Sequence, residues 1–166
     1  MSARMGEYLV GAYLEMIQEC DFVSYNVRFP EEGLRGLSEL DVVGFDFKNS
    51  LAYLCEVSTH ILGFLYGLKA EDSVKKVLKK FDTQKEFAGK KLNDFKTIKY
   101  QFWSPRVGKT DVEKLNGIVG LESIVNETYT NKINELRLLA KKITRQINNP
   151  AFRVLQILEH MKKVKN

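Results

Sequence analysis

Two strand-length runs, Ser38 to Phe47 and Leu51 to Thr59, follow one another across the pair Lys48-Asn49. No other stretch constrains the fold as strongly as this hairpin. Asn tolerates the left-handed backbone that tight turns require, so the turn is expected at Lys48 and Asn49. Antiparallel pairing about that turn sets Asp41 opposite Glu56 and Glu39 opposite Ser58. Side chains alternate along a strand, so all four project from the same sheet face. A slip of one residue would turn the whole set to the other face.

Two carboxylates directly opposed repel each other unless a cation or a proton lies between them. Oxygen-only donors at this spacing suit Mg²⁺ or Mn²⁺. A metal held there would polarise a phosphoryl oxygen and activate a water for in-line attack. The plainer alternative is a hairpin whose acids face water. Glu56 weighs against it, because it interrupts the apolar run Tyr53-Leu54-Cys55-Glu56-Val57, where an uncompensated charge is costly.

The rest of the chain reads as regular elements around this hairpin. Glu7 to Gln18 carries Val10, Tyr13, Leu14 and Ile17 at helical spacing. Val23 to Arg28 alternates like a strand and stops at Pro30, and Gly33 and Gly36 mark a loop. After the hairpin, a loop with Gly63 and Gly67 leads to a basic helix, roughly Glu71 to Leu92, with Val74, Val77, Leu78, Phe81 and Phe87 as its buried stripe. Thr97 to Trp103 reads as a strand. Thr110-Asp111-Val112-Glu113 fits a capping box, so a helix is expected from there to Gly117 or Gly120. Leu121 to Val125 is a short strand and Glu127 to Gln146 a long helix, with Ile133, Leu136, Leu138, Leu139 and Ile143 as its apolar positions. Asn149-Pro150 reads as an N-cap followed by proline at the first helical position. The order α-β-β-β-α-β-α-β-α-α predicts an α/β fold, a central mixed sheet flanked by helices. A chain of 166 residues without a Pro, Gly or Ser-rich linker is expected to form one domain, with a core over about 5–125 and a helical extension over about 126–166.

A helix with an early glutamate, a strand, a carboxylate strand, a hairpin and a strand ending in Glu-x-x together resemble the PD-(D/E)XK nuclease superfamily. The resemblance spans about residues 5–103 and implies a restriction-endonuclease-like core. It implies that Asp41 is the metal-binding aspartate, that Glu56 is the second carboxylate, and that Glu7, with Glu39 beside it, supports the metal. The departure is Ser58, which stands where that superfamily has its catalytic lysine, the group that activates the attacking water and stabilises developing charge. Some of its families move the lysine to the next helix. Lys75, Lys76, Lys79 and Lys80 are candidates here, as is Lys69 in the preceding loop. Lys76 is the position carried forward, and His60 is a further stand-in if the strand continues that far. The activity implied is a divalent-metal-dependent DNA endonuclease or phosphodiesterase with Mg²⁺ or Mn²⁺ as cofactor. The alternatives are a catalytically silent nucleic-acid-binding module on the same fold, or a structural or assembly protein.

A net charge of +5 favours a polyanionic partner. Arg106 and Lys109, at the start of a helix, and Lys75 and Lys79, on the basic helix, are the expected contacts to a DNA backbone. Gly108-Lys109-Thr110 resembles the end of a phosphate loop, but Trp103 stands where that loop needs glycine, so an ATPase and a nucleotide cofactor are rejected. Trp103 is expected in the core rather than stacked on a base. Phe152, Leu155, Leu158 and Met161 make the last helix apolar enough to pack within the chain or form a homodimer or partner-subunit face. Cys20 and Cys55 are expected to be free, buried thiols. The N-terminus has no apolar signal run, and no segment approaches the roughly 18 apolar residues of a membrane span, which predicts a cytoplasmic protein.

Overall fold

The computed structural model describes residues 3–28, 39–61 and 70–161. Among them are five helices and five strands, in the expected order: α1 (Met5–Met16), β1 (Phe22–Arg28), β2 (Glu39–Asp46), β3 (Leu51–Val57), α2 (Ala70–Lys91), β4 (Thr97–Ser104), α3 (Lys109–Asn116), β5 (Leu121–Val125), α4 (Glu127–Lys142) and α5 (Pro150–His160). The strands form one sheet in the order β1-β2-β3-β4-β5. β1, β2 and β3 are an antiparallel meander, and β4 and β5 run parallel to β3. The change of sense follows from the connections. The four-residue turn Phe47–Ser50 returns the chain antiparallel between β2 and β3, whereas the crossovers through α2 and α3 carry it back to start a parallel strand.

The alternation of apolar residues along β3 and β4 divides the core into two layers. Tyr53, Cys55, Trp103 and Ile124 pack with Val10, Tyr13 and Leu14 of α1 and Tyr129 of α4. The intervening residues face the other way. Ala52 and Leu54 meet Phe87 and Ala88 of α2, and Phe102 and Val125 meet Val74, Val77 and Leu115. The sheet is therefore flanked on both faces. Outside α1 lies a further layer, where Ala12 packs with Leu136 and Ala140 of α4 and Phe152 of α5. Asn149 anchors that layer as the expected N-cap. Its Oδ1 accepts from the Ala151 and Phe152 N–H groups, and its Nδ2 donates to the Tyr8 carbonyl and the Tyr25 hydroxyl.

Several local expectations change. The register of the hairpin is as expected, from Asp46 opposite Leu51 to Val42 opposite Cys55. Its loop, however, has four residues, Phe47–Ser50, and the left-handed residue is Ser50 (φ 53°) rather than Asn49. Asn49 instead serves the loop through its own atoms, donating from its backbone and side chain to the Asp46 carboxylate at 2.9 and 2.6 Å. The Thr110 capping box does not form. The N-cap of α3 is Gly108 and the helix begins at Lys109, because Asn126 grips both the N–H and the carbonyl of Val107 and so fixes where the loop ends. On α2, Leu78 turns out to solvent and Gln84 is buried, since the pitch set by Val77 and Phe81 puts Gln84, not Leu78, over the sheet. α4 ends at Lys142, four residues before Gln146, as its C-cap Ile143 turns extended. Leu138 on that helix is exposed.

Cys20 and Cys55 are free and buried. No helix among the described residues is long and apolar enough to cross a membrane. Pro30, Gly33, Gly36, Ser38, Gly63, Gly67, Lys69 and the tail from Lys162 lie outside the described residues.

Candidate metal centre

β2 and β3 part company where the expected pair sits. Their ladder ends at Val42 opposite Cys55. One residue further on, Asp41 turns its Oδ2 onto the backbone N–H of Val57 at 2.8 Å. The carboxylate thus replaces the main-chain acceptor that the ladder no longer supplies, and it locks Asp41 against the end of β3. Glu56 precedes Val57 and lies on the sheet face covered by α2, opposite Phe102 of β4. It is 5 % exposed.

The two carboxyl groups are hydrogen-bonded to each other, which requires a proton shared between them. Burial pushes the Glu56 carboxyl up to about 8, and the Asp41 charge adds to the rise while Lys80 opposes it. Burial also raises Asp41, against the pull of the Val57 N–H and of Lys80. Lys80 offsets only part of the cost of burying two adjacent acids, so the pair keeps a proton that free carboxyls would lose.

Lys80 of α2 completes the cluster. Its Nζ lies 3.2 Å from Glu56 Oε2 and 3.1 Å from the carbonyl of Glu39. The ammonium thus reaches the fork where β2 and β3 separate, as lysines at the border of a core commonly do. Lys76 lies one turn earlier on the same side of the helix. It is exposed, as are Lys75 and Lys79. Arg106 and Lys109 are exposed at the carboxyl end of β4, the strand beside β3.

The other expected members have partners of their own, although the charge of Glu39 still adds to the rise of Asp41. Glu39 is ion-paired with Arg28 of β1 at 3.2 Å, and its other carboxylate oxygen is buried without a hydrogen-bond partner among the described residues. Glu7 accepts the Arg4 backbone N–H at 2.9 Å within the first turn of α1. Among the described residues, no group of three or more His, Cys, Asp and Glu side chains is placed to hold a metal ion. β3 ends at Val57, so Ser58 and His60 follow it in irregular backbone and share no strand face. Ser58 donates its backbone N–H to Trp103, and its Oγ is buried without a partner among the described residues. Trp103 is wholly buried and donates its Nε1–H to Gln101.

Asp41 and Glu56 nevertheless fit a divalent cation in their donor chemistry. They offer oxygen ligands only, from two adjacent strands, and the proton they share is one that a divalent cation would displace. The lysine that reaches them is Lys80 rather than Lys76. The sequence places Lys75, Lys76, Lys79 and Lys80 close together on one amphipathic helix, and only the phase of that helix against the sheet selects among them. The sequence carries no sign of Arg4, whose place beside the end of β3 follows from how α1 docks. Neither a family model, nor a curated protein, nor a solved structure matches the chain.

Proposed function

We propose that the protein is a divalent-metal-dependent DNA endonuclease or phosphodiesterase of the PD-(D/E)XK kind. The observation that carries the reading is the buried Asp41–Glu56 pair at the fork of β2 and β3, with Lys80 at 3.2 Å. The order of elements over residues 5–103 and the change from antiparallel to parallel pairing at β3 agree with it. Asp41 and Glu56 hold Mg²⁺ or Mn²⁺, which when bound supplies Lewis acidity toward a phosphoryl oxygen. Asp41 is kept in place by the Val57 N–H. Lys80, 3.2 Å from Glu56, would stabilise negative charge on the phosphate in the role that Ser58 cannot fill. Lys75, Lys76, Lys79, Arg106 and Lys109 are exposed cations suited to the DNA backbone.

The test is incubation of the purified protein with supercoiled, linear, single-stranded and branched DNA in Mg²⁺ or Mn²⁺, beside an Asp41→Ala/Glu56→Ala control. Metal-dependent cutting that vanishes in the control is expected. A second reading, a silent nucleic-acid-binding module, is favoured by Ser58 at the lysine position and by the absence of a third acid at the pair among the described residues. DNA binding without cutting, equal in both proteins, would establish that reading in place of the first.

A further inference from the structure

A cavity of about 90 Å³ opens beside the candidate centre, lined by Arg4, Glu7, Val57, Ser58, Thr59 and His60. It lies where the first turn of α1 meets the end of β3. The approach there is close, since a Cβ on Gly6 would strike the side chain of Thr59. Val57 links the cavity to the carboxyl pair, because its N–H is the group that Asp41 holds.

Two of the donors, on Ser58 and Arg4, are unspent among the described residues. Ser58 is 3 % exposed, and its Oγ has no partner among the described residues. A buried hydroxyl in that state costs free energy, which a ligand accepting its hydrogen bond would recover. Arg4 is exposed and is in no ion pair among the described residues. It is also the N-cap of α1, whose side-chain cap bond is missing, so the positive end of a 12-residue helix faces the same place. The imidazole of His60 lines the mouth. A single carboxylate, Glu7, opposes these groups, and its Oε2 is turned onto the Arg4 N–H.

We propose that this cavity is an anion subsite that takes a phosphodiester of the nucleic-acid strand, next to the one presented to Asp41 and Glu56. The inference rests on the nuclease reading and extends it to how the strand is held. Glu7 sets the charge class. One carboxylate among these donors suits the monoanionic diester and disfavours a terminal phosphate, which carries nearly a second charge.

The experiment measures binding of a fluorescent single-stranded oligonucleotide at several salt concentrations, without divalent ion, for wild type, Arg4→Gln and Ser58→Ala. Loss of one phosphate contact should make the slope of log affinity against log salt shallower by about 0.7 in Arg4→Gln. Ser58→Ala should bind roughly tenfold more weakly with its slope unchanged, because it removes a neutral donor to a charged group. It should melt no lower than wild type, since the lost hydroxyl had no partner among the described residues. Adding a 5′-phosphate to the oligonucleotide should leave affinity unchanged. Affinity gained from that phosphate and abolished by Arg4→Gln would overturn the diester assignment. If wild type binds and cuts DNA but both variants keep its affinity and slope, the subsite falls and the nuclease reading stands. If wild type neither binds nor cuts, both fall.

Discussion

Replacing Glu56 by glutamine tests the electrostatic account of the carboxyl pair. In the native state the Glu56 carboxyl lies near 8, against 4.5 for an ordinary glutamate. The folded protein therefore binds a proton between those values that the unfolded chain releases. Stability contributed by this group is complete below about pH 4.5 and is lost as pH rises through about 8. Each unit of pKa difference is worth about 1.4 kcal/mol, so the loss amounts to at most about 5 kcal/mol. Glutamine keeps the shape and the donor of the protonated acid and has nothing to titrate. Glu56→Gln should therefore give up little at pH 5, where the native acid is neutral and the amide oxygen can still accept from Lys80, and should be more stable than wild type at pH 9. Urea unfolding of both proteins from pH 5 to 9 measures this, with the two curves crossing between. Parallel curves, or a wild type that gains stability with pH over that range, would refute the shared-proton description.

Two other substitutions probe separate parts of the account. Lys80→Met should lower metal-dependent cutting by about 10²–10³-fold with little change in DNA affinity, whereas Lys76→Met should mainly weaken binding; steady-state rates beside affinities separate the two. Asn149→Ala removes the cap of α5 and the bonds to Tyr8 and Tyr25. It should cost about 2–3 kcal/mol, a fall of roughly 5–10 °C in Tm by differential scanning calorimetry.

The parts of the fold fixed by local chemistry were legible in the sequence. Alternating apolar residues and one short turn were enough to fix the hairpin register as far as Val42 opposite Cys55, and Asn149-Pro150 announced the start of α5. What depended on packing between distant elements was not legible. Leu78 and Gln84 lie on the same helix, and which of them is buried depends on how α2 sits on Leu54 and Phe102. The same phase brings Lys80, rather than Lys76, to Glu56. The Thr110 box lost its place to Asn126, a residue far along the chain whose hold on Val107 no local pattern encodes. Likewise, the spacing of Glu7 and Glu39 says nothing of their commitments to the Arg4 backbone and to Arg28. The cavity beside Ser58 arises from the docking of α1 against the end of β3, so neither Arg4 nor its distance from the hairpin signals it in sequence.

The claim on which the rest depends is that Asp41 and Glu56 hold a divalent ion in exchange for their proton. Titration calorimetry of Mn²⁺ into the protein at pH 7, in two buffers of different ionisation enthalpy, reads both the ion and the proton. The account predicts an ion bound at the pair with close to one proton released, and loss of both in Asp41→Asn/Glu56→Gln. Absence of binding, binding undiminished in that variant, or binding without proton release would contradict it.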